Sequence, residues 1–125
     1  MAKILIVDDE ASIRTMLTHM LEQDGHEVIV AEDGEKGACL YRERLPDVVI
    51  SDLVMPNKNG IDMILELKKE YPGLRMIAIS GGGGITGAFD YLPTAKLVGA
   101  NSILKKPFGI QELRDVLQNT LNVAA

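Results

Sequence analysis

Along this chain, short apolar runs alternate with longer segments whose apolar residues return every third or fourth position. The runs are Ile4 to Val7, Val28 to Ala31, Val48 to Ser51, Met76 to Ile79 and Ser102 to Leu104. Their length and their Val and Ile content predict five strands. Behind the first run, Ile13, Leu17, Met20 and Leu21 fall on one helical face, and Asp24-Gly25 ends the segment. A second helix is predicted from about Glu35 to Arg44, a third from about Ile61 to Tyr71 before Pro72-Gly73, and a fourth around Phe89 to Leu97. The last carries Ile110, Leu113, Leu117 and Leu121 on its buried face. Strand and helix alternate five times, which predicts an α/β fold: a doubly wound (βα)5 parallel sheet with helices on both faces.

Three runs, "ILIV", "VVI" and "MIAI", are apolar on both faces, as interior parallel strands must be. "HEVIVA" and "NSILK" are mixed and suit the edges. Polar residues follow the strands in a telling way. Asp8 and Asp9 come after the first, Asp52 after the third, Ser80 after the fourth, and Lys105-Lys106-Pro107 after the fifth. In an open parallel sheet these ends share one edge, and ligands bind there at the point where strand order reverses. If the first and third strands are neighbours, three carboxylates meet in one pocket with a hydroxyl and an ammonium at its rim.

Clustered carboxylates repel one another unless a cation compensates. A hard divalent ion with oxygen ligands is the natural remedy, and Mg²⁺ leaves coordination positions for water, backbone carbonyls and phosphate oxygens. A lysine beside it offers a point charge suited to phosphate. With no thiol or imidazole among these residues, a carboxylate is the candidate nucleophile, and aspartyl phosphates are an established covalent route. Taken singly, each residue has a plainer role. Asp8 or Asp9 could cap the following helix, Asp52 could start a turn before Pro56, Ser80 could be a loop residue, and Lys105 and Lys106 could be solvated charge. What favours chemistry is that all these positions fall at the same end of one sheet.

Composition narrows the classes further. The 125 residues fit one compact domain spanning 1–125. The net charge of −5, with basic residues scattered, argues against nucleic-acid binding by this domain. Cys39 is the single cysteine, which excludes an internal disulfide and an all-cysteine metal site; beside Ala38 and Leu40 it reads as a small buried side chain. No run approaches membrane-spanning length and the N-terminus lacks a signal-peptide pattern, so a cytoplasmic protein that does not engage a membrane is expected.

With these residues in view, the chain resembles a receiver domain of two-component response regulators over nearly its full length. "ILIVDDE" is similar to the family's opening strand and acidic pair, and "DLVMPNKNG" to the motif that begins with the phosphorylated aspartate, Met55, Pro56 and Gly60 included. "ISG" supplies the hydroxyl after the fourth strand and "KKPF" the Lys-Pro pair, with "AEDG" and "VGA" as further punctuation. The resemblance implies a flavodoxin-like sheet of order 2-1-3-4-5. It implies that Asp52 accepts a phosphoryl group from a sensor histidine kinase or a histidine phosphotransfer protein. Mg²⁺ would be held by Asp9, Asp52 and the backbone carbonyl of Val54, with Asp8 acting through water. Lys106, directly before Pro107, would contact the phosphoryl oxygens, and the Lys106–Pro107 bond would be cis. Ser80 would move toward the phosphoryl group, and the face of the fourth helix, fifth strand and fifth helix would report the change to an output protein or a second copy of the chain. No other cofactor is implied.

Two features depart from the family's pattern. Ile103 stands three positions before the lysine, where the family often has an aromatic residue that turns inward on activation. Gly81 to Gly84 follow Ser80, and Gly81 offers the site little steric cover, which predicts an accessible pocket. Competing assignments fit less well. Gly82, Gly84 and Gly87 satisfy G-x-G-x-x-G, but they follow the fourth strand, Pro93 lies close behind, and no acid stands about twenty residues on. A Mg²⁺-dependent hydrolase forming an aspartyl phosphate usually needs a second acid two residues after the nucleophile, where this chain has Val54. A phosphate-independent binding module with the same fold would not need the full set Asp8, Asp9, Asp52, Ser80 and Lys106.

Overall fold

A computed structural model describes residues 1–53, 60–80 and 99–122, with Ser80 described through its backbone only. Five strands, β1 (Lys3–Val7), β2 (Glu27–Ala31), β3 (Val48–Asp52), β4 (Met76–Ser80) and β5 (Ser102–Lys105), form one parallel sheet in the order β2-β1-β3-β4-β5. The expected order and the expected edge strands are both found. Several strands run one residue further than the apolar pattern suggests, β3 into Asp52, β4 into Ser80 and β5 into Lys105. Ladder hydrogen bonds are made by backbone groups, so pairing continues into the polar residue that ends each of these three strands.

The described helices are α1 (Ala11–Gln23), α2 (Gly34–Arg44), α3 (Gly60–Glu70) and α4 (Ile110–Leu121). The helix expected around Phe89 to Leu97, and with it Gly81 to Gly84, lies outside the described residues. Alternation along the strands sorts the core into two layers. Ile4 and Ile6 of β1 pack with Leu17 and Leu21 of α1 and Leu113 and Leu117 of α4. Leu5 and Val7 turn the other way, to Ala38 and Tyr41 of α2 and Met63, Ile64 and Leu67 of α3. β1, β3 and β4 are buried on both faces, which is why their sequences carry almost no polar residue.

Local signals fix the helix ends. The Asp33 carboxylate accepts from the backbone N–H of Lys36 at 2.8 Å and so caps α2. α1 stops at Asp24-Gly25, where Gly25 has φ +85. The Arg114 guanidinium then grips the Asp24 carboxylate at 2.8 and 2.9 Å, tying α4 to the end of α1.

One expectation is corrected. Cys39 is exposed, not buried. The buried stripe of α2 runs through Gly34, Gly37, Ala38 and Tyr41. Adjacent helical residues point about 100° apart, so neighbours in the sequence say little about which face a residue takes.

Candidate functional site

The register of the sheet brings the acids together. β1 pairs with β3 so that Val7 lies opposite Ser51, and Asp8 and Asp52 therefore leave the two strands side by side. This is where strand order reverses, since β2 lies on one side of β1 and β3 on the other. Oxygen atoms of Asp8, Asp9 and Asp52 all lie within 4.8 Å of one another. β4 pairs with β5 through Ser80 and Lys105, which delivers the next residue, Lys106, to the same edge.

The Lys106 Nζ lies 3.8 Å from Asp8 Oδ2, 4.0 Å from Asp52 Oδ2 and 4.0 Å from Glu10 Oε1. These are charge contacts, too long for direct hydrogen bonds. The Lys106 and Asp52 side chains are 18% and 14% exposed, so both reach solvent through a narrow rim. Lys105 is exposed, and among the described residues no ion pair involves it. The Lys106–Pro107 peptide is cis.

Asp8 does not cap α1. The N-cap is Glu10, without a side-chain cap bond, and Asp8 Oδ1 instead accepts from the Glu10 N–H at 2.8 Å. The Asp8 backbone is pinned as well, its N–H donating to Ala31 and its carbonyl accepting from the Arg14 guanidinium at 2.7 Å. Asp8 is fully buried, and its Oδ2 has no hydrogen-bond partner. Burial pushes its carboxyl up to about 6, helped by the charges of Asp52 and Asp9 and opposed by the Glu10 N–H and Lys106.

A buried carboxylate oxygen without a donor, facing two more carboxylates, is the arrangement a hard cation stabilises. All the side-chain donors are oxygens, as Mg²⁺ requires, and no sulfur or imidazole competes. The residues present therefore fit a divalent oxygen-loving ion. Val54, whose carbonyl is the remaining expected ligand, lies outside the described residues, as do Met55, Pro56 and the side chain of Ser80. Ile103 is half-buried and packs against the α2–α3 core layer.

A consequence for stability follows from Asp8. The folded carboxyl holds its proton up to about pH 6, whereas the ordinary value is 3.8. The stabilising contribution of the protonated form is thus present below pH 3.8 and lost as pH rises through 6. At about 1.4 kcal/mol per unit, Asp8→Asn should raise Mg²⁺-free stability at pH 7 by up to about 3 kcal/mol. Urea midpoints measured at pH 7 and pH 4 check this: the gain should shrink toward pH 4, and an equal gain at both would contradict the assigned cause.

Some contributors were not picked out from the sequence. Glu10 reaches Lys106, and Arg14 holds the Asp8 carbonyl, six residues along and without any pattern to mark it. The Ser51 hydroxyl donates to the Asp52 carbonyl at 2.8 Å. Ser51 did carry a signal, as a hydroxyl directly after the buried apolar run Val48 to Ile50.

Residues 4–118 match the sequence model of the response regulator receiver domain family. The chain is 36% identical over 129 residues to the DNA-binding transcriptional regulator NtrC of Azospirillum brasilense, an alignment that takes in 97% of this chain and 24% of that protein. It is 30% identical to sporulation initiation phosphotransferase F of Bacillus subtilis (strain 168), covering 95% of this chain and 93% of that one. Among solved structures, a response regulator receiver domain protein from Clostridium thermocellum aligns with a TM-score of 0.86 at 35% identity, covering 98% of this chain and 95% of that chain. The chain spans less than half the length of several transcriptional regulators it matches, 24% of one and 48% of another. No described helix is long and apolar enough to cross a membrane.

Proposed function

The chain belongs to the response regulator receiver domain family, a signalling family, and on that premise we propose that Asp52 accepts a phosphoryl group and that the chain signals through protein contacts. The donor is the phosphohistidine of a sensor histidine kinase or of a histidine phosphotransfer protein. An Asp52 carboxylate oxygen forms the new P–O bond as the P–N bond to the imidazole breaks, and the leaving imidazole keeps the electron pair and takes up a proton. The observation that carries this reading is the convergence of three carboxylates within 4.8 Å of one another, two of which, Asp8 and Asp52, lie within 4.0 Å of the Lys106 amine.

Each residue then has a defined part. Asp9, Asp52 and the Val54 carbonyl would hold Mg²⁺, with Asp8 acting through water; when bound, the ion supplies positive charge against which anions can meet. Lys106 neutralises charge that spreads over the phosphoryl oxygens. Asp8, buried and without a donor on Oδ2, would gain its compensating charge from the Mg²⁺ ion. The product adds roughly two negative charges and strong acceptors to a small pocket. The Ser80 hydroxyl moves to donate to one of them, and the face that includes β5 and α4 passes the change to an output protein or to a second copy of the chain. The chemistry stops at the chain's own phosphorylation and dephosphorylation, since Val54 stands where a hydrolase of this type needs its second acid.

The test is phosphoryl uptake from acetyl phosphate, followed by intact mass with and without Mg²⁺. Wild type should gain one phosphoryl group only with Mg²⁺, and Asp52→Asn should gain none. Steady phosphate release from many small esters would favour the hydrolase, and no uptake from any donor would favour an inert binding module.

A further inference from the structure

We propose that Ser51 is a positioning residue that sets the rotation of the Asp52 carboxylate through the peptide unit between Asp52 and Leu53. The inference rests on Asp52 being the phosphoacceptor and adds a residue to that site. Both ends of this one peptide unit are held. Its carbonyl, Asp52 O, accepts from the Ser51 hydroxyl at 2.8 Å. Its N–H, on Leu53, donates to Asp52 Oδ1 at 2.7 Å. One carboxylate oxygen is thereby tied back to the chain, and the other, Oδ2, lies 4.0 Å from the Lys106 Nζ.

The surroundings leave the hydroxyl few alternatives. Ser51 is fully buried in β3, directly after the apolar Val48, Val49 and Ile50. A buried hydroxyl without a partner is costly, so the bond to Asp52 O persists while the fold does. On the far side of the same carbonyl stands Gly60, the first residue of α3. A Cβ built there would lie 2.1 Å from Asp52 O and 3.0 Å from Ser51 Oγ. The carbonyl is therefore enclosed between the hydroxyl and a residue with no side chain, and the Gly60 N–H donates to Leu53 O at 2.9 Å, fixing the next carbonyl too. The hydroxyl bond at the carbonyl and the carboxylate bond at the N–H together resist rotation of the peptide unit. An acceptor carboxylate held in one orientation loses less freedom on the way to the transition state, which is the usual benefit of pre-positioning.

Alanine at 51 removes the hydroxyl, and threonine keeps it. Ser102→Ala serves as a control, because that hydroxyl bonds Thr120 at 2.7 Å between β5 and α4, away from the acids. Three readouts are needed on the full chain: the rate of uptake from acetyl phosphate at saturating Mg²⁺, the urea midpoint, and hydrogen exchange of the Leu53 amide in the unphosphorylated protein. Ser51→Ala should lower the uptake rate by about tenfold and speed Leu53 exchange by a similar factor. Ser51→Thr should restore both, and Ser102→Ala should shift the urea midpoint without changing either. A wild-type uptake rate in Ser51→Ala, or a loss matched by Ser102→Ala at equal destabilisation, would overturn the assignment. Leu53 exchange separates the two readings: if it responds as stated while wild type takes up no phosphoryl group, the geometric clamp stands and the phosphoacceptor role of Asp52 is what falls; if it does not respond, the clamp itself is refuted.

Discussion

Lys106→Ala should take up phosphoryl groups from acetyl phosphate about a hundredfold more slowly than wild type while remaining folded. Its ammonium is the one described cation lying within 4.0 Å of both Asp8 and Asp52. Losing a pre-placed positive charge where negative charge develops costs roughly 10² to 10³ in rate. The same substitution should not weaken Mg²⁺, and should strengthen it, because a fixed cation beside the acids competes with the ion for them. That opposite pair of effects distinguishes loss of transition-state charge from general damage to the pocket. Removing the lysine also removes a force that holds the Asp8 carboxyl down, so Asp8 should titrate still higher than in wild type. Uptake within a factor of two of wild type, at equal Mg²⁺ occupancy, would contradict the role given to Lys106.

Gly60→Ala carries the largest expected effect on stability. The new Cβ would sit 2.1 Å from the Asp52 carbonyl oxygen and 3.1 Å from the carbonyl carbon, both backbone atoms. Neither can swing aside as a flexible side chain would. Either the first turn of α3 or the end of β3 must shift, with loss of the Gly60 N–H bond to Leu53 O. The expected cost is about 3 kcal/mol, read from the urea midpoint. Because the displaced atoms belong to the acceptor residue, uptake should fall by about a hundredfold as well, in line with the sensitivity of positioned groups to displacements near 1 Å. An alanine variant that unfolds at the wild-type urea concentration would mean that this contact is not tight in solution.

The sheet was legible because each layer wrote its own period into the sequence. "ILIV", "VVI" and "MIAI" lack polar residues because β1, β3 and β4 have a helix layer on each face, and "HEVIVA" keeps Glu27 and Val30 toward solvent because β2 is an edge. The meeting of Asp8, Asp9, Asp52 and Lys106 was legible for a related reason: in a parallel sheet, residues that follow the strands have one place to be. What escaped was whatever depends on rotation about a helix axis or on backbone contact. Cys39 is one position beyond the buried Ala38, and that single step carries it to the surface. Gly60 stood out only as part of the motif that begins at Asp52, yet its lack of a side chain is what lets α3 start against the carbonyl of Asp52. Arg14 reaches the Asp8 carbonyl from the α1 surface, and no spacing rule marks such a contact in advance.

The most direct measurement locates the phosphoryl group itself. Wild-type chain incubated with Mg²⁺ and acetyl phosphate is treated with borohydride, which reduces an acyl phosphate to the alcohol, and the peptides are then sequenced by mass. Homoserine at position 52, formed only with Mg²⁺ and at no other position, is the expected result. Homoserine at position 8 or 9, or a phosphorylated chain that borohydride leaves unchanged, would contradict it.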